Sequence, residues 1–145
     1  CTPTQINRYR SRISGPLLDR IDIQVEVSNV DYDDLSSTEN SETSAEIKKR
    51  VNKTRKLQLE RYKDYNIYSN SQLDAGMLKK FCPLGEEENA ILRAAFDNLG
   101  LSARAHSRIL KVARTIADLE GSENIKSEHI AEAIQYRSLD RKYFE

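Results

Sequence analysis

The chain lacks most of what catalysis needs. It has no glycine-rich loop of the GxxxxGK(S/T) kind, no GxGxxG and no HExxH. Glycine-rich loops cradle phosphates on backbone N–H groups, and HExxH sets two zinc ligands on one helix face. Neither a complete nucleotide cradle nor a zincin site is therefore encoded in these residues. The two cysteines, Cys1 and Cys82, stand far apart and without metal-ligand spacing. So few, so placed, they fit a reduced, cytoplasmic setting. His106 and His129 have no nucleophile or ligand set beside them. Both read as partly exposed helix residues, and no metal site is expected. No apolar run is long enough to cross a membrane, and no charged-then-apolar leader opens the chain. Net charge is zero, so any basic face for nucleic acid is local, not global.

What is present is 145 residues, enough for one ordinary domain or a small domain plus part of another. Charged residues make up 32% against 38% hydrophobic, which points to a helix-leaning chain with small cores. The chain opens at Cys1-Thr2-Pro3 without an initiator Met and reads as a fragment of a longer protein. Its charge is blocked. Residues 1–20 carry four arginines and one acid, residues 21–46 eight acids and no Lys or Arg, residues 47–65 eight basic groups and two acids. Such blocks are usually solvated faces and helix-dipole complements.

In chain order, residues 4–13 read as a short helix that Ser14-Gly15-Pro16 breaks. Leu17-Leu18-Asp19-Arg20 is a tight turn. Residues 21–27 alternate strictly between apolar and polar, the pattern of a strand with one buried face. No second run alternates as well, so this orphan strand needs a sheet from elsewhere, and in isolation it is expected to pair with another copy or to be poorly ordered. Residues 28–40 are acidic and serine-rich, without the Gly and Glu of a calcium loop, and read as a linker. Thr43-Ser44-Ala45-Glu46 is a capping-box pattern that opens a long charged helix to about Tyr62. Ile47, Val51, Thr54, Leu57 and Arg61 form its narrow stripe, so it is expected to be exposed over much of its length. Residues 66–73 are a polar connection. Asp74 or Ser71 starts a helix with Met77, Leu78 and Phe81 inward, and Cys82-Pro83-Leu84-Gly85 ends it. A helix over 86–99 has acids in its first turn, as the dipole prefers, and a core face of Ala90, Ile91, Ala94, Ala95 and Leu99. A last helix, capped at Ser127, turns Ile130, Ala133 and Ile134 inward.

The stretch 101–121 organises the rest. Gly100 stops the preceding helix and Ser102 is placed to cap a new one. Ala105, Ile109, Val112, Ala113 and Ile116 recur at helical spacing as a core stripe, and Arg104, Arg108, Lys111 and Thr115 run down another face. Arg104 sits in the first turn, where the dipole disfavours a cation. A helix N-terminus carrying an extra Arg suits a phosphate, which accepts from both. A solvated surface arginine is the plain alternative. From residue 74 on, four short helices imply a bundle, and the fold class is mainly α.

Several runs also resemble a known family. Ser14-Gly15-Pro16-Leu17-Leu18-Asp19-Arg20-Ile21-Asp22 resembles the SGPLLDR(F/I)D signature of magnesium chelatase-like AAA+ ATPases of the ComM or YifB type. Ser69-Asn70-Ser71-Gln72-Leu73 is similar to that family's N-(A/S)-Q-L segment, and Leu101-Ser102-Ala103-Arg104-Ala105-His106 to its LSAR-A-(Y/H) motif. Residues 112–119 and 133–137 are similar to two further blocks, so the resemblance runs in order along nearly the whole chain.

The resemblance implies a parent whose Walker elements lie before Cys1. Residues 1–28 would then be the end of the nucleotide-binding core, 29–73 a linker and connecting helix, and 74–145 the helical lid. It implies that Arg20 is an arginine finger acting in trans on a neighbouring subunit's nucleotide, with a salt bridge to Asp19 or Asp22 as the plain alternative. It implies that Arg104 is a sensor-2 residue on the ATP phosphate in cis, beside Ser102. Arg114, deep in its helix, is better suited to structural pairing with Asp118 or a neighbouring helix. The parent would use ATP and Mg2+, with none bound to the fragment alone. Its partners would be other subunits of a ring, a homo-hexamer, and DNA remodelled in recombination or transformation, with no membrane. The rival reading is a stand-alone helical nucleic-acid-binding module without ATPase activity, supported by Arg8, Arg10, Arg12 and the basic helix over 48–63. A chelatase subunit proper is a third, although no metal-insertion site is visible.

Overall fold

A computed structural model of the chain describes residues 2–10, 12, 17, 20–27, 29 and 42–137. It is mainly α, as the periodicity predicts. The elements are α1 (Pro3–Arg10), α2 (Ser44–Arg61), a 3-10 turn (Asn70–Gln72), α3 (Ala75–Phe81), α4 (Glu86–Leu99), α5 (Ala103–Glu120) and α6 (Ser127–Gln135). The linker expected over 28–40 and the breaker at 14–16 lie outside the described residues, apart from Asn29.

Each helix start is set by local chemistry. Thr43 and Glu46 close the expected capping box on α2, each bonding the other's backbone N–H. Asp74, not Ser71, caps α3 by accepting from the Met77 N–H at 2.8 Å. Gly100 ends α4 and Gly121 ends α5, with φ of 60° and 83°, a left-handed conformation that a Cβ disfavours. The cap of α6 is Lys126 rather than Ser127. The imidazole Nδ1 of His129 accepts from the Lys126 N–H at 2.9 Å, the bond that the third helical residue of a capping box makes back to the cap.

α5 is the hub, packing against α2, α3, α6 and the 3-10 turn, while α4 packs on α6. Its buried residues include Ala105, Ile109, Leu110, Ala113 and Ala117, with Val112 and Ile116 half-buried, so the predicted stripe is the core face. Ile109, Ile130 and Tyr62 are fully buried. Each such apolar side chain contributes about 1.5–3 kcal/mol relative to exposure. Phe81 forms perpendicular, edge-to-face pairs with Tyr62 and Tyr65, at 5.0 and 5.1 Å between centroids.

Three further expectations are corrected. α4 turns Leu92 and Phe96 inward beside Ile91, Ala95 and Leu99, while Ala90 and Ala94 face solvent. Alanine tolerates either side, so the bulky side chains set the rotation. In α2 the buried residues are Thr54 and Gln58, and Leu57 is exposed. The alternating run 21–27 forms no strand, and no strand exists among the described residues. Ile23, Val25 and Val27 are 50%, 63% and 85% exposed. Alternation encodes a face, but a strand exists only when its backbone groups find a ladder partner. Here they find others. The Gln24 N–H donates to the Tyr136 carbonyl at 2.9 Å, and the buried Arg137 donates to the Ile21 carbonyl.

Candidate functional site

The site is built from the first turn of α5. Ser102 has an extended backbone, and its hydroxyl accepts from the Ala105 N–H at 3.2 Å. That satisfies one of the first-turn donors, which have no partner within the helix. The amides of Ala103 and Arg104 belong to the same turn. Arg104 is exposed, and its guanidinium has no hydrogen-bond or ion-pair partner among the described residues. Every polar group this turn presents beyond its cap is a donor at the positive end of the dipole. That chemistry suits anionic oxygen and repels a cation.

The face below Arg104 is taken up. Arg108 pairs with Asp22. Lys111 donates to the Ser71 carbonyl at 2.9 Å. Thr115 accepts from the Asn70 amide at 3.0 Å and donates to the Lys111 carbonyl at 2.8 Å. Of the four polar residues on this face, Arg104 alone lacks a partner among the described residues.

Arg20 is exposed and sits in a turn closed by its own N–H to the Leu17 carbonyl at 3.0 Å. Its side chain has no partner among the described residues. Of its two suggested acids, Asp22 is engaged by Arg108 and Asp19 lies outside the described residues. The Asp22–Arg108 pair ties the segment that carries Arg20 to the helix that carries Arg104.

Arg114 has the opposite surroundings. It is buried, with its Nε 3.1 Å from Asp118 and its two terminal nitrogens donating to the carbonyls of Glu123 and Ser122 at 2.8 and 2.7 Å. Asp118, fully buried at its side chain, also accepts two bonds from Arg61 at 2.6 and 2.9 Å, one from Asn70 at 2.9 Å and one from Gln58 at 3.3 Å. Burial works against the Arg61 charge, but its hydrogen bonds to the Asp118 carboxylate and that group's charge help hold its pKa above the ordinary value. The Tyr62 hydroxyl donates to Asn70 at 2.6 Å. This knot joins α2, the 3-10 turn and α5, and it is structural. Gln58 and Asn70 were not expected in it. The signal available for Gln58 was a polar row of Thr54, Gln58 and Arg61 on one helix face. Asn70 gives no periodic signal.

No other reactive group stands out among the described residues. Burial pushes the Cys82 thiol up to about 11, so it stays protonated and is a poor nucleophile. His129, expected to be partly exposed, is 2% exposed and lies beside Glu120, Glu128 and Lys126. Glu120, His129 and Glu128 could in outline hold a cation. However, His129 Nδ1 already accepts from the backbone, so Nε2 carries the hydrogen toward Glu120 and has no lone pair for a metal. Hydrogen bonding from His129 lowers the Glu120 pKa, and the Lys126 ammonium stands 3.3 Å from Glu128, which makes the group an ion-pair cluster.

Comparison with known proteins gives the family. Residues 41–137 match the model of the magnesium chelatase subunit ChlI C-terminal domain, and residues 1–35 match that of magnesium chelatase subunit ChlI. The chain is 43% identical to the competence protein ComM of Haemophilus influenzae over 97% of its own length and 27% of the relative's. It is 42% identical to YifB of Escherichia coli over the same shares. A protein of Mycobacterium tuberculosis, Rv2897c, is 28% identical over 94% of the chain. The chain thus spans about a quarter of the length of the curated relatives it matches. With two thirds of its residues inside the C-terminal family match and ComM and YifB among its relatives, the chain belongs to the magnesium chelatase-like family of the ComM/YifB type.

Proposed function

We propose that the chain is the lid and arginine-finger part of a AAA+ ATPase that turns over ATP in a ring. The observation that carries this reading is the pair of exposed guanidinium groups, Arg20 and Arg104, that have no partner among the described residues. The family context supports it. Residues 1–28 are assigned to the end of the nucleotide-binding core, 29–73 to the connector and 74–145 to the lid. The first turn of α5 offers only donors beyond its Ser102 cap, so it fits a polyphosphate. ATP with its Mg2+, when bound to the full-length protein, supplies the phosphoryl group transferred to water.

Arg104 and the first-turn amides hold the terminal phosphate in cis. They lose that contact in the diphosphate state, and the difference lets turnover move the lid. Arg20 reaches the neighbouring subunit's site and stabilises charge developing on the transferring group, an effect of about 10³–10⁵ in rate. A finger in trans requires a closed ring, which we assign as a cytoplasmic homo-hexamer. The remodelled partner is assigned as DNA, in recombination or transformation. The name of one relative, a competence protein, fits this. The rival reading, a nucleic-acid-binding module without ATPase activity, has in its favour the lysines of α2, which have no partner among the described residues.

The test uses full-length protein. Arg20→Ala and Arg104→Ala both depress ATP turnover. In mixed rings, wild-type fingers restore the sites they face, whereas an Arg104→Ala subunit stays dead at its own site. Wild-type turnover by both variants overturns the reading, as does ATP turnover by the 145-residue chain alone.

A further inference from the structure

We propose that the solvent face of α2 is a docking surface for the phosphate backbone of duplex DNA. The helix carries seven basic residues against two acids. Lys49, Lys53 and Lys56 recur at i, i+4 and i+7, so they form one row, and Lys48 flanks it. All four are exposed and line one open groove of about 820 Å³. None of the four has a hydrogen-bond or ion-pair partner among the described residues. Both acids of the helix are occupied. Glu46, at one end of the groove, is held in the capping box, and Glu60 pairs with Lys63 at 2.7 Å. Arg50, also on the groove, is matched by Glu42 at 2.9 Å. The lysine row therefore keeps its charge.

Its length and composition point to one class of polyanion. At a rise of 1.5 Å per residue the row spans about 10 Å, over which duplex DNA presents about six phosphate charges. Protein partners anchor on aromatic and apolar side chains seated in pockets. α2 has no aromatic residue, and the largest apolar side chain on the groove is Leu119. Single strands are held by stacking on aromatics, which this face lacks. Flexible ammonium stems with Asn52 among them suit backbone contact without base readout. The inference deepens the DNA-remodelling reading by naming where the duplex sits. It involves no nucleotide, so a failure here leaves ATP turnover standing, and the reverse.

The test is fluorescence anisotropy of the 145-residue chain with a labelled duplex of about 20 base pairs. Four neutralised phosphates predict a slope of about −3.6 in log affinity against log salt, about 150-fold weakening between about 50 and 200 mM. Lys49→Ala/Lys53→Ala/Lys56→Ala lowers the slope to about −0.9 and the low-salt affinity at least about tenfold, with an unchanged helical circular dichroism signal. The matching Lys→Arg triple variant keeps the slope, and so does Arg8→Ala/Arg12→Ala. No salt-dependent binding, wild-type binding by the alanine triple variant, loss in the Arg8/Arg12 variant instead, or equal or tighter binding to a single strand or to polyglutamate each overturns the proposal.

Discussion

The two ends of α5 treat the same side chain in opposite ways. Near the C-terminal end, Arg114 is buried and every nitrogen of its guanidinium meets an acceptor. At the N-terminal end, Arg104 is exposed and meets none among the described residues. A guanidinium taken out of water must be fully paired, because an uncompensated buried charge is costly. One left in water keeps its donors available to a ligand. Surroundings, not residue type, separate an arginine that holds the lid together from one that serves what the lid binds.

Breaking the buried end gives the largest effect. Asp118→Ala leaves Arg61 and Arg114 facing each other without a counter-charge and removes the acceptor of Gln58 and Asn70. It is expected to lower stability by about 3–5 kcal/mol in urea unfolding. A loss under about 1 kcal/mol would mean that the knot does not hold α2 on α5. A smaller effect lies at the far end of α2. Thr43→Ala removes the cap and lowers Tm by a few degrees at neutral pH. Hydrogen bonds from the Thr43 hydroxyl and N–H hold the Glu46 carboxyl below its ordinary 4.5. A depressed carboxyl stabilises above its unfolded value and loses that as pH falls through the folded one. The gap between variant and wild type in thermal melts is therefore expected to narrow below about pH 4. A gap that stays constant down to pH 3 would mean the carboxylate adds nothing to the cap.

How much could be read in advance follows from what each signal depends on. The core stripe of α5 and its Ser102 cap depend on spacing and on one hydroxyl, both local, and both appear in the structure. The exposed setting of Arg104 follows from the same register. The α4 face was misjudged because alanines carry little directional information, whereas Leu92 and Phe96 do. The run 21–27 shows what a pattern omits. Alternation cannot supply the partner that makes a strand. Gln58 and Asn70 were missed because a polar residue is buried only when other groups satisfy it, and theirs are distant in sequence, whereas His129 is satisfied nearby by the Lys126 N–H and Glu120. For Asn70 those groups lie up to 48 positions away in sequence. Polar networks of that reach leave no periodic trace.

The most direct test of the account is nucleotide affinity of the full-length Arg104→Ala protein, measured for ATP and for ADP alongside its thermal melt. An exposed, unpaired arginine predicts a melt close to wild type, within about 0.5 kcal/mol in stability. It also predicts that ATP binding weakens markedly while ADP binding barely changes, so the preference for the triphosphate collapses. Retained preference for ATP in a folded variant, or unfolding of the lid on loss of this one side chain, would contradict it.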